Sequence, residues 1–239
     1  MKRRDAAVSA LGFGVTVVLL ALATLVLFYV VMGGITPNGG MPVSGDVHKT
    51  VVIDAGHGGM DGGAVAPDGT LEKHINLEIA EILSALLRVS GYETVMTRQS
   101  DEMLDTGDGN GSAKLRDLKK RLMIASSYQG ALTVSIHCNK FPQSSCKGMQ
   151  VYHSDDPTAE TTAMAVQRAF GKLDGTSRRQ VKKSDSSIYL LYRAKTPTIL
   201  VECGFLSNGE ELEKLKTEDY KKKLALVIMS GIDGSYGAL

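Results

Sequence analysis

Lys2, Arg3 and Arg4 stand before a run from Ala6 to Met32 that carries no charge at all, 27 residues long. A helix needs about 20 apolar residues to cross a bilayer, whereas the apolar core of a cleavable signal spans about 7–15. The length favours a transmembrane anchor, with a cleaved signal as the alternative. A buried core helix fits poorly, because Val15 to Leu22 shows no polar stripe. Residues 1–5 then form a basic cytoplasmic segment, and the remainder of the chain lies outside the membrane. Residues 33–46, with Gly39, Gly40, Pro37 and Pro42, form a linker.

From residue 47 to 239 the pattern changes to alternating strands and helices. Thr50–Asp54 (TVVID) is β-branched and ends before Gly56, as a buried strand does. Ile75, Ile79, Ile82, Leu83, Leu86 and Leu87 form one helical stripe. It predicts a helix over Asn76–Ser90, stopped by Gly91, with Glu72 in the loop that leads into it. Glu93–Thr97 is the next strand. Leu115, Leu118, Leu122 and Ala125 mark a second helix, and Leu132–Ile136 and Met149–His153 two more strands. Ala163, Val166, Phe170 and Leu173 are helical again. Ile188–Leu191 and Thr198–Val201 are expected as short strands, and Tyr220–Ile232 as a closing helix. Asp101–Ala113, rich in Gly and Asp, is expected as a surface loop. The fold class is therefore α/β: a single domain, with a mostly parallel central sheet flanked by helices, preceded by the N-terminal transmembrane or signal helix.

Composition narrows the function. Of 239 residues, 27 are basic and 26 acidic, a net charge of +1. Residues 1–5 hold three of those positive charges and one negative, so the exported part has 24 basic against 25 acidic residues. A neutral domain lacks the electrostatic footprint of a nucleic-acid binder. Trp is absent and aromatics make up 5%, which leaves few stacking platforms for long glycans.

Chemistry gathers where strands end. In an open α/β sheet, ligands bind beyond the carboxyl ends of the strands. His57 follows the first strand in DAGHGG, His137 follows another in VSIHCN, and Glu202 follows a third in ILVECG. Glu72 precedes the first helix. Two imidazoles and a carboxylate are a donor set of catalytic zinc, and a second carboxylate can act as general base. The spacing alone leaves other readings open, because no HExxH pair lies on one helix. A histidine in a Gly-rich turn is also commonly a hydrogen-bonded loop residue. GHGG lacks the Lys and Ser/Thr of a phosphate-binding loop.

The segments IDAGHGGMDGGA, LEKHINLEIA, SIHCN and VECGFLSN, in this order, resemble the motifs of the zinc-dependent N-acetylmuramoyl-L-alanine amidases. The resemblance runs from about Val51 to the C-terminus. LEKHINLEIA, SSIYLL and the short anchored N-terminus are most similar to the germination-specific, spore-cortex branch. The resemblance implies Zn2+ held by His57, Glu72 and His137, and Glu202 as the catalytic carboxylate. It implies cleavage of the amide between the lactyl group of muramic acid and L-alanine of the stem peptide. In the cortex branch, a partner deacetylase acts with the amidase to form muramic-δ-lactam, and an activating partner protein is a further expectation. Peptidoglycan is the expected substrate, and the location is outside the cytoplasmic membrane, in the spore cortex or intermembrane space.

The chain departs from the family pattern in places. Ala55 stands where the family turn usually has Pro, which removes a φ constraint but no ligand. His74, two residues from Glu72, is a competing ligand. Cys138 and Cys203 follow His137 and Glu202, and strand alternation points their thiols away from the site into the core. Cys138 and Cys146 are either free or bridged. Asn139 and Arg98 are candidate substrate contacts; a turn role for Asn139 and a structural ion pair for Arg98 are the alternatives. Arg178, Arg179, Lys182 and Lys183 form a basic cluster, read as a solvated face. His48 and His153 are read as surface or internally bonded histidines. Two rival functions stand beside the amidase: a non-catalytic wall-binding or regulatory module, and a zinc peptidase acting on another peptidoglycan bond.

Overall fold

The computed structural model describes residues 49–236, apart from 106, 108–109 and 175–178. The expected membrane segment, the linker, His48 and Arg178 lie outside the described residues. Among the described residues, no helix is long and apolar enough to cross a membrane. Everything below belongs to the unit His48–Leu239.

Six strands make one sheet: β1 (Thr50–Ala55), β2 (Glu93–Met96), β3 (Leu132–Asn139), β4 (Gln150–His153), β5 (Lys182–Lys183) and β6 (Thr198–Phe205). Their order is β2-β1-β3-β6-β4-β5. All neighbours run parallel except β4 and β6, which are antiparallel. The helices are α1 (Glu72–Val89), α2 (Ala113–Ser127), α3 (Pro157–Asp174), α4 (Tyr189–Arg193), α5 (Gly209–Lys216) and α6 (Glu218–Tyr236).

Strand alternation divides the sheet into two unlike faces. Val51, Ile53 and Ala55 of β1, Val134, Ile136 and Cys138 of β3, and Ile199, Val201 and Cys203 of β6 join one large apolar cluster. The same cluster takes Ile79 and Leu83 of α1, Phe170 of α3 and Ile228 of α6. The other face carries two small clusters. One is Val52 with Ala125; the second is Leu200 with Leu190 and Leu191. The intervening positions on that face are polar: Asp54, Ser135, His137 and Glu202. Cys138 and Cys203 point into the large core, as alternation predicted, and all three cysteines are free.

Four elements differ from expectation near the site. The strands β3 and β6 run on to Asn139 and Phe205, so His137 and Glu202 lie within their strands and not after them. The helix α1 begins at Glu72, so Glu72 lies in its first turn and not in the preceding loop. The first amides of α1 are satisfied by loop carbonyls: Glu72 N donates to Ala64 O (2.9 Å) and Lys73 N to Gly62 O (3.3 Å). Residues 188–191 are not a strand. Tyr189–Arg193 is one short helix, α4, packed through Leu190 and Leu191 on Leu200. A four-residue apolar run has no periodicity that separates strand from buried helix. The helix α5, capped by Asn208 accepting from Glu211 N (3.1 Å), and the two-residue β5 are additional.

Candidate metal centre and active site

The parallel register sets His137 of β3 beside Glu202 of β6, so both side chains leave the polar face at its carboxyl end. His57 arrives from the turn after β1 and Glu72 from the first turn of α1. One donor atom each from His57, Glu72 and His137 lies within 4.8 Å of the others. The two imidazole rings stand edge to face with centroids 4.9 Å apart. The carboxylate of Glu72 lies between them. Its Oε1 is 2.9 Å from His137 Nδ1, and its Oε2 is 3.2 Å from His57 Nε2. Cys138 N and Asn76 Nδ2 also donate to Oε1, and Ala64 N donates to Oε2. Burial alone would keep the Glu72 carboxyl protonated. The bonds from His137 and His57 outweigh it and hold the group well below the usual carboxylate range.

Two glycines make this convergence possible. A Cβ on Gly56 would meet the His137 ring at 2.3 Å. One on Gly63, at φ +70°, would meet Glu72 Oε2 at 2.6 Å and His57 Cδ2 at 2.7 Å. His57 itself is the one non-glycine described residue with positive φ, 63°. Such backbone needs external support. Arg121 Nη2 donates to His57 O (2.6 Å), and Arg121 Nη1 to Ala55 O (2.7 Å). Asp61 Oδ2 lies 2.9 Å from His57 Nδ1 and fixes the ring, leaving Nε2 toward the cluster.

Glu202 completes the edge. Its Oε2 is buried without a hydrogen-bond partner. Burial pushes its carboxyl up to about 7, with the like charge of Glu72 adding and the imidazoles of His137 and His57 opposing. A cleft of about 260 Å³ opens beside it. It is lined by His57, His137 and Glu202 and by the apolar side chains of Leu118, Ile188 and Leu190.

The structure therefore brings His57, Glu72, His137 and Glu202 together, and the other candidates stand apart from them. Arg98 is 2% exposed and spends its guanidinium on four carbonyls: Ala55, Gly56, Lys73 and Ser100. These bonds tie the His57 turn to the start of α1, and Arg98 lies outside the donor cluster. Asn139 is half-buried at the β-bulge after His137, where its carbonyl accepts from Leu206 N (2.8 Å). His74 is exposed and outside the donor cluster. His153 is buried and bonded through Nδ1 to Ser154 O (2.9 Å). Arg179 caps Lys147 O and stacks over Phe205, while Lys183 pairs with Asp155. Sequence reasoning missed Asp61, Arg121 and the α4 lining. The first of these had a signal, an Asp four residues after the histidine in GHGGMD; the pairing of Arg121 with a turn 64 residues away had none.

The sequence pattern of the N-acetylmuramoyl-L-alanine amidase family matches residues 51–234. The germination-specific N-acetylmuramoyl-L-alanine amidase of Bacillus subtilis is 35% identical over 196 residues, covering 80% of each chain. The protein YqiI of Bacillus subtilis, which is uncharacterized, is 36% identical over 198 residues, 82% of this chain and 87% of that one. Among solved structures, the CwlD amidase of Clostridioides difficile, in complex with the GerS lipoprotein, is 37% identical with a TM-score of 0.76. That likeness covers 80% of this chain and all of CwlD. With almost the whole described domain matched, the chain belongs to the N-acetylmuramoyl-L-alanine amidases, hydrolases that act on peptidoglycan.

Proposed function

We propose that the chain is a zinc amidase that hydrolyses the amide between the lactyl group of N-acetylmuramic acid and L-alanine of the stem peptide. The observation that carries this reading is the donor cluster of His57, Glu72 and His137 beside the unpartnered Oε2 of Glu202. Two imidazoles and one carboxylate are the donor set of a catalytic zinc site, and the Asp61–His57 bond supplies the outer support such sites carry. These three residues would hold the ion. When bound, zinc supplies a Lewis acid that polarises a carbonyl and acidifies water.

The chain's own residues do the remaining work. Glu202, with its carboxyl raised to about 7, is suited to take a proton from the attacking water and to return it to the leaving amine. Leu118, Ile188 and Leu190 give the cleft an apolar lining. Asn139, two residues past His137, would contact the substrate. Digestion of intact peptidoglycan tests the bond: new L-alanine N-termini on released stem peptides are expected, and release of C-terminal D-alanine would show a peptidase instead.

The cellular setting is part of the same proposal. Likeness to the germination-specific amidase supports a role in the spore cortex, where a deacetylase would act on the stripped muramic acid. Likeness to CwlD, solved with a lipoprotein, supports an activating partner. Residues 6–32 would anchor the domain, residues 47–239, outside the cytoplasmic membrane through the linker 33–46.

A further inference from the structure

The charges around the cleft are unevenly spent. Asp54, Asp61, Asp117 and Glu202 line it, and the cations among the lining residues are Arg121 and Lys114. Arg121 is 2% exposed, and its donors go to Asp54, Asp117, Ala55 O and His57 O. Four of its five N–H donors are spent inside the fold, and the side chain is buried. Lys114, in the first turn of α2, is different. Its side chain is 60% exposed, and among the described residues its one ion pair is to Asp61 Oδ2 at 3.4 Å. That oxygen is already 2.9 Å from His57 Nδ1, and the other oxygen of Asp61 accepts from Gly63 N. A long, exposed pair to a carboxylate engaged elsewhere is weak, and an ammonium has three donors. Lys114 is thus the cation of this acidic cleft with donors to spare.

Lys114 also lies close to the donor cluster. The chain of contacts from Lys114 Nζ through Asp61 to His57 places the ammonium within about 9 Å of His57 Nε2. When the residue after L-alanine is joined through its side-chain carboxyl, its α-carboxylate stays free. Five bonds separate that carboxyl carbon from the scissile nitrogen, a span of about 5–6 Å. Arg121 already compensates Asp54 and Asp117, so Lys114 is the lining cation placed to meet an incoming carboxylate.

We propose that Lys114 forms a carboxylate subsite on the peptide side of the scissile amide, binding the free α-carboxylate of a side-chain-linked glutamate at the second position of the stem. The proposal rests on the amidase reading above. It makes the enzyme a discriminator between stems that carry this carboxylate and stems in which it is a carboxamide.

The test pairs two soluble substrates, N-acetylmuramoyl-L-alanyl-γ-D-glutamyl-lysine and its isoglutamine counterpart, with the zinc-loaded full chain. The wild type is expected to prefer the carboxylate by about tenfold in kcat/KM, the scale of one partly exposed charge-assisted hydrogen bond. The preference should sit mainly in KM. In Lys114→Gln the ratio should collapse toward one, and Lys114→Arg should restore it. Binding of the same pair to Glu202→Gln, measured by calorimetry, repeats the comparison without turnover. A wild-type ratio near one, or an equal loss on both substrates in Lys114→Gln, overturns the subsite while leaving the amidase reading intact. Failure of the wild type to cleave either substrate would strike the amidase reading itself, and the subsite with it.

Discussion

Two buried carboxylates lie at the same edge of the same sheet, and their surroundings are opposite. Asp54, at the end of β1, accepts from Arg121 Nη1 (2.8 Å), Thr97 Oγ1 (2.8 Å) and Ser135 Oγ (2.6 Å). Burial pushes its carboxyl up, but Arg121, with the Ser135 hydroxyl, brings it down to about 2. Glu202, on β6, has one oxygen with no partner and a carboxyl raised to about 7. The contrast separates two uses of a buried charge. Asp54 is saturated and fixes Arg121, which in turn holds the His57 turn. Glu202 is left unsatisfied, a costly condition in a fold, and such a group is free to exchange a proton.

The largest effect should come from removing the unsaturated member. Glu202→Gln is expected to lower kcat/KM on peptidoglycan fragments by about 10²–10⁴-fold, with thermal stability kept or raised because a buried charge is lost. A fall in stability with retained turnover would reverse the roles assigned to the two carboxylates. Next is the saturated side. Arg121→Met should cost about 3–5 kcal/mol in urea unfolding, because Asp54 and Asp117 are left buried without their cation. The variant should also bind zinc more weakly in a chelator competition, since His57 O loses its donor.

A smaller effect should appear with pH. The folded carboxyl of Asp54, near 2, lies below its ordinary 3.8, so its contribution is present in full above about pH 4 and is lost as the pH falls toward 2. The span corresponds to about 2 kcal/mol. Asp54→Asn should flatten the stability profile in that window; an unchanged profile would show that Asp54 is not the titrating group. The smallest effect is expected at Asp61→Asn. An amide oxygen can still accept from His57 Nδ1, so zinc affinity should fall by about tenfold, the low end for such supporting residues.

The same pair shows how far the site is legible from sequence. The end-of-strand positions of His57, His137 and Glu202 follow from β-branched runs and the rule that α/β ligands sit at carboxyl ends. Their assignment as ligands and base came from the motif resemblance. Alternation along β3 and β6 also placed Cys138 and Cys203 in the core without further knowledge. What was hidden is long-range pairing. Arg98 reads in the sequence as a substrate contact or a structural ion pair, and the fold gathers four carbonyls around it. Arg121 lies on a helix whose stripe reveals its apolar face but not the turn, 64 residues away, that its guanidinium grips. Residues 188–191 read as a strand because four apolar residues fit either state, and only packing on Leu200 makes them a helix. The helix α5 carried a local signal, Asn208 followed three residues later by Glu211, that its dense charge obscured.

Zinc content and peptidoglycan digestion, measured together on the wild type, His57→Ala and Glu202→Gln, test the central claim most directly. The wild type should hold one zinc per chain and release stem peptides with L-alanine N-termini. Glu202→Gln should hold the same zinc and release none, and His57→Ala should lose both. Full zinc in His57→Ala, or substantial release of stem peptides with L-alanine N-termini by Glu202→Gln, would contradict it.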